Sequence, residues 1–226
     1  MAYEVRTSPE FDAWLKDLAD IAARDAIRSR IARLGRGLFG DRRSVGDRIS
    51  EFRIDVGQGY RIYYTMGGRT LALVLCGGSK KTQKRDIRKA EAMAKALRKS
   101  KDPGDSLVRE RQAAYAPDGH EDEFHFTEAD LTFSPFDPAD YLERESSQIH
   151  HLRDAIESGH PGYIADAIGA VARARGLSNL ERATGIKRQT LNKSFSLKGN
   201  PTLETLLTVV GALGLRLEIV PDKAKR

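Results

Sequence analysis

Glu51-Phe52-Arg53-Ile54-Asp55-Val56-Gly57-Gln58-Gly59-Tyr60-Arg61-Ile62-Tyr63-Tyr64-Thr65-Met66 alternates on both sides of a glycine-rich break. A period of two puts Phe52, Ile54 and Val56 on one face of a strand and Glu51, Arg53 and Asp55 on the other. It likewise sets Tyr60, Ile62, Tyr64 and Met66 against Arg61, Tyr63 and Thr65. Gly57-Gln58-Gly59 reads as a hairpin loop. If residue 56 pairs with 60, then 55 faces 61 and 53 faces 63. Arg53, Asp55, Arg61 and Tyr63 then share a polar face, with Asp55 available as an ion-pair partner for Arg61. Leu71 to Cys76 is apolar on both faces and is expected to be the most buried strand, with Cys76 a small core residue rather than a nucleophile.

Upstream, Phe11, Trp14, Leu15, Leu18, Ile21 and Ala22 recur at helical spacing behind the start signal Ser8-Pro9-Glu10. Ile27, Ile31 and Leu34 continue among Arg24, Arg28, Arg30 and Arg33 until Gly35 and Gly37, which predicts a helical hairpin with a basic outer face. Downstream, Gly77-Gly78-Ser79-Lys80-Lys81-Thr82-Gln83-Lys84-Arg85 leads into a helix from Asp86 to Leu97. Gly77-Gly78-Ser79-Lys80 is not a phosphate-binding P-loop, because Lys80 follows Ser79 and the upstream glycine is missing.

Charge divides the chain. Residues 1–101 carry +11, residues 102–145 carry −10 and residues 146–226 carry +5. A sign that flips twice over 226 residues predicts two domains and an acidic connector. The basic block suits a polyanion partner, most simply nucleic acid. The longest apolar run is far too short for a membrane span, no signal peptide opens the chain, and one cysteine forms no internal disulfide, so a cytoplasmic location is expected. The five histidines lack metal-ligand spacing; no metal and no cofactor is expected.

In the connector, expected over 102–135, Leu107 to Tyr115 could form a short helix. Phe124, Phe126, Phe133 and Phe136 alternate with acidic residues, a composition suited to covering a basic groove. No methionine follows Met93, so the second half has no AUG of its own. From Phe136 the pattern turns helical, with Tyr141, Leu142, Ile149, Leu152 and Ile156 roughly on one side. Helices follow from Tyr163 to Arg175, to Thr184, and from Lys187 to Ser196, the last two separated by Gly185. This is a helix-turn-helix pattern whose second helix is polar and basic. A helix after Asn200-Pro201-Thr202 and a terminal strand from Leu215 to Val220 complete it.

The order helix, helix, strand, strand, strand, helix, with G-Y-R-I-Y-Y-T and V-L-C-G-G-S-K-K-T-Q, resembles the RelE/ParE superfamily of toxins over residues 3–98, closest to its HigB-like, addiction-module-killer branch. The resemblance implies a ribosome-dependent endoribonuclease (mRNA interferase) needing no metal, or in the ParE branch an inhibitor of DNA gyrase. It carries catalytic roles onto Arg61, Arg53, Lys80 and Lys81, with Lys84 and Arg85 binding RNA. Cleavage by a 2′-hydroxyl needs a base, a cation for the charge growing on phosphorus and an acid for the leaving oxygen. An arginine fork suits the phosphate, and a lysine crowded by cations could exchange the proton. Asp86 and Ile87 stand where the RNA-cutting pattern has tyrosine or histidine.

G-L-S-N-L-E-R-A-T-G-I-K-R-Q-T-L-N-K and G-N-P-T-L-E-T-L-L-T-V-V-G-A-L-G-L resemble HigA-like antitoxins of the Xre helix-turn-helix class over about residues 136–220. The resemblance places Lys187, Arg188, Gln189, Asn192 and Lys193 toward DNA. Gln189 and Asn192 suit adenine edges, Arg188 guanine, and Lys187 and Lys193 phosphate. Glu181 stands where the family has alanine.

The fold class expected is therefore α+β: a RelE-like small antiparallel sheet with helices over 1–101, joined to an all-α helix-turn-helix domain with a terminal strand over 136–226. The function expected is a type II toxin-antitoxin system in one fusion protein, in which the second domain neutralises the first and represses transcription from its own operator DNA. Homodimerisation through the antitoxin domain would match a two-fold operator. The competing readings are a repressor with a vestigial toxin domain and a ribonuclease released by proteolysis in the connector.

Overall fold

The computed structural model describes residues 3–46, 48–100, 124, 126 and 129–218, and the chain forms two compact units, Met1–Phe136 and Asp137–Arg226. The expected helix from Leu107 to Tyr115 lies outside the described residues. The architecture is mixed α+β.

Unit 1 is a six-stranded sheet in the order β2-β3-β4-β5-β1-β6. Its strands are β1 (Glu4–Thr7), β2 (Arg42–Gly46), β3 (Ile49–Ile54), β4 (Tyr60–Gly67), β5 (Leu71–Ser79) and β6 (Ser134–Pro135). Helices α1 (Pro9–Asp17) and α2 (Ile21–Gly35) follow β1, and α3 (Gln83–Ser100) follows β5. The sheet is mixed rather than wholly antiparallel, because β1 pairs in parallel with β5. Ser8 caps α1, its hydroxyl accepting from the Phe11 N–H at 3.0 Å. The first helix ends earlier than the spacing predicted: Asp20 caps α2 by accepting from the Ala23 N–H, so Ile21 and Ala22 open the second helix. The outer face of that hairpin is less basic than expected, since Arg28 is buried in an ion pair with Asp25 and Arg30 stacks over Phe52.

The β3–β4 register corrects the predicted one by two residues: Ile54 pairs with Tyr60, Arg53 with Arg61 and Glu51 with Tyr63. Gly57 and Gly59 both adopt positive φ, 57° and 77°, so the turn uses both glycines and the loop lengthens to 55–59. Asp55 falls in that loop, exposed and off the sheet. The parity of the faces survives a shift of two. Phe52, Tyr64 and Tyr60 look toward α1 and α2, where the Phe52 and Tyr64 rings stack at 4.4 Å and Trp14 meets Tyr60 edge-on. On the opposite face Ile49, Tyr63, Leu75 and Cys76 pack under α3 against Ala90, Met93 and Ala94. A bulge in β5 opposite Tyr63 and Tyr64 leaves Leu75 as the extra residue, which is how Leu75 and Cys76 both reach this cluster. β5 is buried from Ala72 through Cys76, as its composition predicted.

Gly77 and Gly78 each open one face of β5. A Cβ at Gly77 would lie 2.3 Å from the Trp14 ring on α1, and one at Gly78 1.8 Å from the Asp86 carboxylate on α3. Only a glycine pair lets helices approach this strand end from both sides.

The acidic, aromatic end of the connector belongs to unit 1. Phe126, Leu131 and Phe133 pack on the α3 cluster, β6 pairs antiparallel with β1, and the Phe136 N–H donates to Val5 O at 2.9 Å.

Unit 2 begins with a 3₁₀ turn (Pro138–Tyr141), then α4 (Glu145–Glu157), α5 (Pro161–Arg175), α6 (Leu177–Thr184), α7 (Arg188–Ser194) and α8 (Leu203–Ala212). Its core joins Leu142, Ile168, Val171, Leu180, Leu191, Phe195, Val209 and Leu213. Arg173 holds Asp137 through two hydrogen bonds, 3.0 and 2.9 Å. The expected terminal strand is not formed over residues 215–218; the Leu215 N–H donates to Val210 O and closes α8 instead, and residues 219 and 220 lie outside the described residues. Among the described residues, no helix is long and apolar enough to cross a membrane.

Candidate functional site

Two surfaces carry the residues singled out by sequence, one in each unit. In unit 1 the α3-side face of the β3–β4 hairpin brings Arg53 and Arg61 directly opposite each other. Between them sits a residue that sequence reasoning did not select, Glu51, whose side chain is fully buried. Its Oε1 accepts from Arg53 Nε at 3.1 Å. Its Oε2 accepts from Gln83 Nε2 at 3.2 Å and lies 3.7 Å from Arg61 Nε. The buried carboxylate thus replaces Asp55 as the partner of Arg61. A buried anion requires such company, because desolvation is costly unless cations and donors surround it.

Lys80 borders this cluster: its backbone N–H donates to Gly59 O at 3.0 Å, which ties the turn after β5 to the β3–β4 loop. Lys80, Lys81, Lys84 and Arg85 are all exposed, the first two in a 3₁₀ turn (Lys80–Thr82) and the others at the start of α3. The structure therefore gathers Arg53, Arg61 and Lys80 at one end of the sheet. Arg85 is also engaged by the connector, the Phe124 ring lying 5.8 Å from its guanidinium and 5.6 Å from the Lys89 ammonium.

Asp86 completes the surroundings. It lies over Gly78, the register partner of Arg61, and accepts from the Thr82 hydroxyl at 2.6 Å. Burial pushes its carboxyl above the ordinary range, while the Thr82 hydrogen bond, Lys89 and Arg85 pull the other way. Burial likewise raises the Tyr63 hydroxyl, with Glu51 and Asp86 adding to the effect, and the Tyr63 oxygen is buried without a hydrogen-bond partner. The Cys76 thiol, buried and close to Asp86, is raised far above the usual range, as befits an inert core residue.

A carboxyl raised in the folded state is ionised more readily in the unfolded chain. Stability associated with Asp86 is therefore complete below about pH 4 and is lost as pH rises through the folded value. Asp86→Asn imitates the protonated form and keeps an acceptor for Thr82. Its urea midpoint, read by Trp14 fluorescence, should gain on that of the parent chain between pH 3.5 and pH 7. A difference independent of pH would show that burial does not disfavour the charge there.

In unit 2, Gly185 ends α6 in the left-handed conformation, φ 71°, and its N–H donates to Glu181 O at 2.8 Å. Ile186 packs on the core, Lys187 is the N-cap of α7, and Leu191 and Phe195 anchor that helix from below. The helix is shorter than the predicted Lys187 to Ser196. Lys187, Arg188, Gln189, Asn192 and Lys193 all face solvent, and Glu181 is half-buried on α6. The outward side of α7 is therefore cationic and amide-bearing, with no acidic residue within Lys187–Ser194. Among the described residues, no group of His, Cys, Asp and Glu is arranged to hold a metal ion.

Comparison with known proteins also finds two separate matches along the chain, the second beginning just before β6, inside unit 1. Residues 13–99 match the family model described as phage derived protein Gp49-like (DUF891), and residues 132–221 match that of a probable addiction module antidote protein. Two proteins of Haemophilus influenzae (strain ATCC 51907 / DSM 11121 / KW20 / Rd), both described as uncharacterized, are similar. One is 45% identical over 97 residues, 43% of this chain and 98% of the relative. The other is 36% identical over 84 residues, 37% of this chain and 87% of the relative. No solved structure matches.

Proposed function

We propose, for a chain that belongs to the families of these two Haemophilus influenzae proteins and has toxin-antitoxin character, that it is a self-silenced toxin-antitoxin module acting in the cytoplasm. Unit 1 is a RelE/HigB-like endoribonuclease, and unit 2 is a HigA-like helix-turn-helix antidote that binds operator DNA, as a homodimer, and neutralises unit 1. The observation that carries the reading is the pairing of Arg53 with Arg61 beside Lys80, a cationic set of the kind that grips a phosphodiester. In this reading Arg61 and Arg53 stabilise the charge developing on phosphorus, Lys80 and Lys81 exchange protons, and Lys84 and Arg85 steer mRNA on the ribosome. The exposed side of α7 supports operator recognition by Gln189, Asn192 and Arg188, with Lys187 and Lys193 on phosphates. The connector's Phe124 against Arg85 and Lys89 supports its role as part of the cover.

The test is growth and translation in cells induced for residues 1–101, for unit 1 entire (1–136), for the full chain, and for Arg61→Ala versions of the fragments. Arrest by a fragment, relieved by Arg61→Ala and absent with the full chain, is the expected result. Folded fragments that are both harmless would leave a DNA-binding repressor with a vestigial toxin domain, the reading that Asp86 in place of tyrosine or histidine favours.

A further inference from the structure

We propose that Glu51 is a positioning residue that sets Arg53 and Arg61 as a paired clamp for one phosphate oxyanion, an inference that rests on the phosphodiester reading of that face. Two arginines directly opposite on neighbouring strands repel unless something between them fixes their forks. Glu51 is that element. Its carboxylate is wholly buried; it accepts a hydrogen bond from Arg53 Nε at 3.1 Å and forms an ion pair with Arg61 Nε at 3.7 Å, a buried nitrogen that makes no hydrogen bond. Gln83 reaches Oε2 from α3, so β3, β4 and α3 all converge on one carboxylate.

Engagement at Nε leaves the terminal amines of each fork for another ligand, the arrangement that permits bidentate contact with a phosphate. Among the described residues, neither guanidinium has a further ion pair or hydrogen bond. The site is reachable from solvent on the Arg53 side, whose side chain is 37% exposed against 11% for Arg61. One carboxylate between two arginines leaves the trio net positive, which favours an anionic ligand.

The role is separable from simple electrostatics because the two predict opposite signs. If Glu51 contributes only charge, removing it strengthens anion binding. If it positions the forks, removing it weakens binding. The experiment titrates the full chain with inorganic phosphate while following the arginine Nε–Hε resonances by ¹⁵N NMR. In the parent chain the Arg53 and Arg61 signals should move together and saturate. Glu51→Gln should bind at least ten-fold more weakly, and Glu51→Asp, which keeps the charge but shortens the reach, at least three-fold more weakly. Binding to the Gln variant that is equal or tighter overturns the role of Glu51 while the phosphate site stands. Parent-chain resonances that ignore phosphate overturn the clamp and the phosphodiester reading together. Should the Gln variant fail to fold, the Asp variant decides alone, unchanged affinity overturning the proposal.

Discussion

Replacing Phe126 and Phe133 together with alanine should lower the stability of unit 1 by about 3 kcal/mol, equivalent to a fall of ~10 °C or more in its melting temperature. Full burial of a phenylalanine makes truncation cost about 3–5 kcal/mol. Both rings are partly buried, and they share one cluster with Leu131, Ile87 and Leu97, so the two losses are reduced and not simply additive. The measurement is convenient because the chain has a single tryptophan, Trp14, and it lies in unit 1. Its fluorescence follows that unit without interference from the other. An unchanged midpoint would mean that the connector's aromatic end rests on the α3 cluster without supporting it.

Gly169→Ala should disrupt unit 2 by a comparable amount, about 3 kcal/mol, the upper part of the usual range for overpacking. Gly169 lies inside α5 where that helix passes the end of α7, and a Cβ there would sit 2.0 Å from the backbone oxygen of Phe195. The obstacle is main chain, so no rotamer change relieves it. Phe195 is itself buried among the core residues that fix α7, and the displacement should reach Lys187 through Lys193 and weaken the operator binding proposed for them as well. Gly211→Ala is the matched control: nothing lies within 4 Å of its Cβ position, and the helical backbone gains up to about 1 kcal/mol from alanine. Far-UV circular dichroism melts of the two variants should move in opposite directions. A Gly169→Ala protein as stable as its parent would show that α5 and α7 do not pack as closely as described.

The elements with a strong period were legible in the sequence, and those with weak ones were not. Alternation identified β3 and β4, an unbroken apolar run identified β5, and the 3.6-residue period identified the principal helices. β2, Arg42-Arg43-Ser44-Val45-Gly46, is almost wholly exposed, so it has no buried alternate face to betray it. β1 has four residues and β6 two; neither is long enough to carry a pattern, and each exists because a neighbouring strand offers an edge. The two-residue error in register came from assigning only three residues to a turn whose two glycines both take positive φ.

The same limit applies to the site. Alternation correctly put Glu51 on the face of Arg53 and Arg61, but a solvated glutamate and a buried one look alike in a string of letters. What separates them is α3, which brings Gln83 over the carboxylate from more than thirty residues away. The usable signal was two arginines at adjoining positions of a hairpin, which calls for an anion between them. Arg28 shows the converse: it read as part of a solvated basic face, yet its pairing with Asp25 takes it into the interior.

The closure of the sheet by β6 also has a timing. β1 leaves the ribosome first, but its partner on that edge, Ser134–Pro135, is translated some 34 residues after the end of α3. At ~5–20 residues per second, the interval is about 2–7 s. During it the nascent chain has an open sheet edge and an α3 cluster without the aromatic residues that pack on it, while residues 1–100 have already been made. Order of synthesis therefore places β1 ahead of the strand that closes its edge in every molecule, and slow codons between residues 101 and 134 would lengthen the exposure without altering a single amino acid.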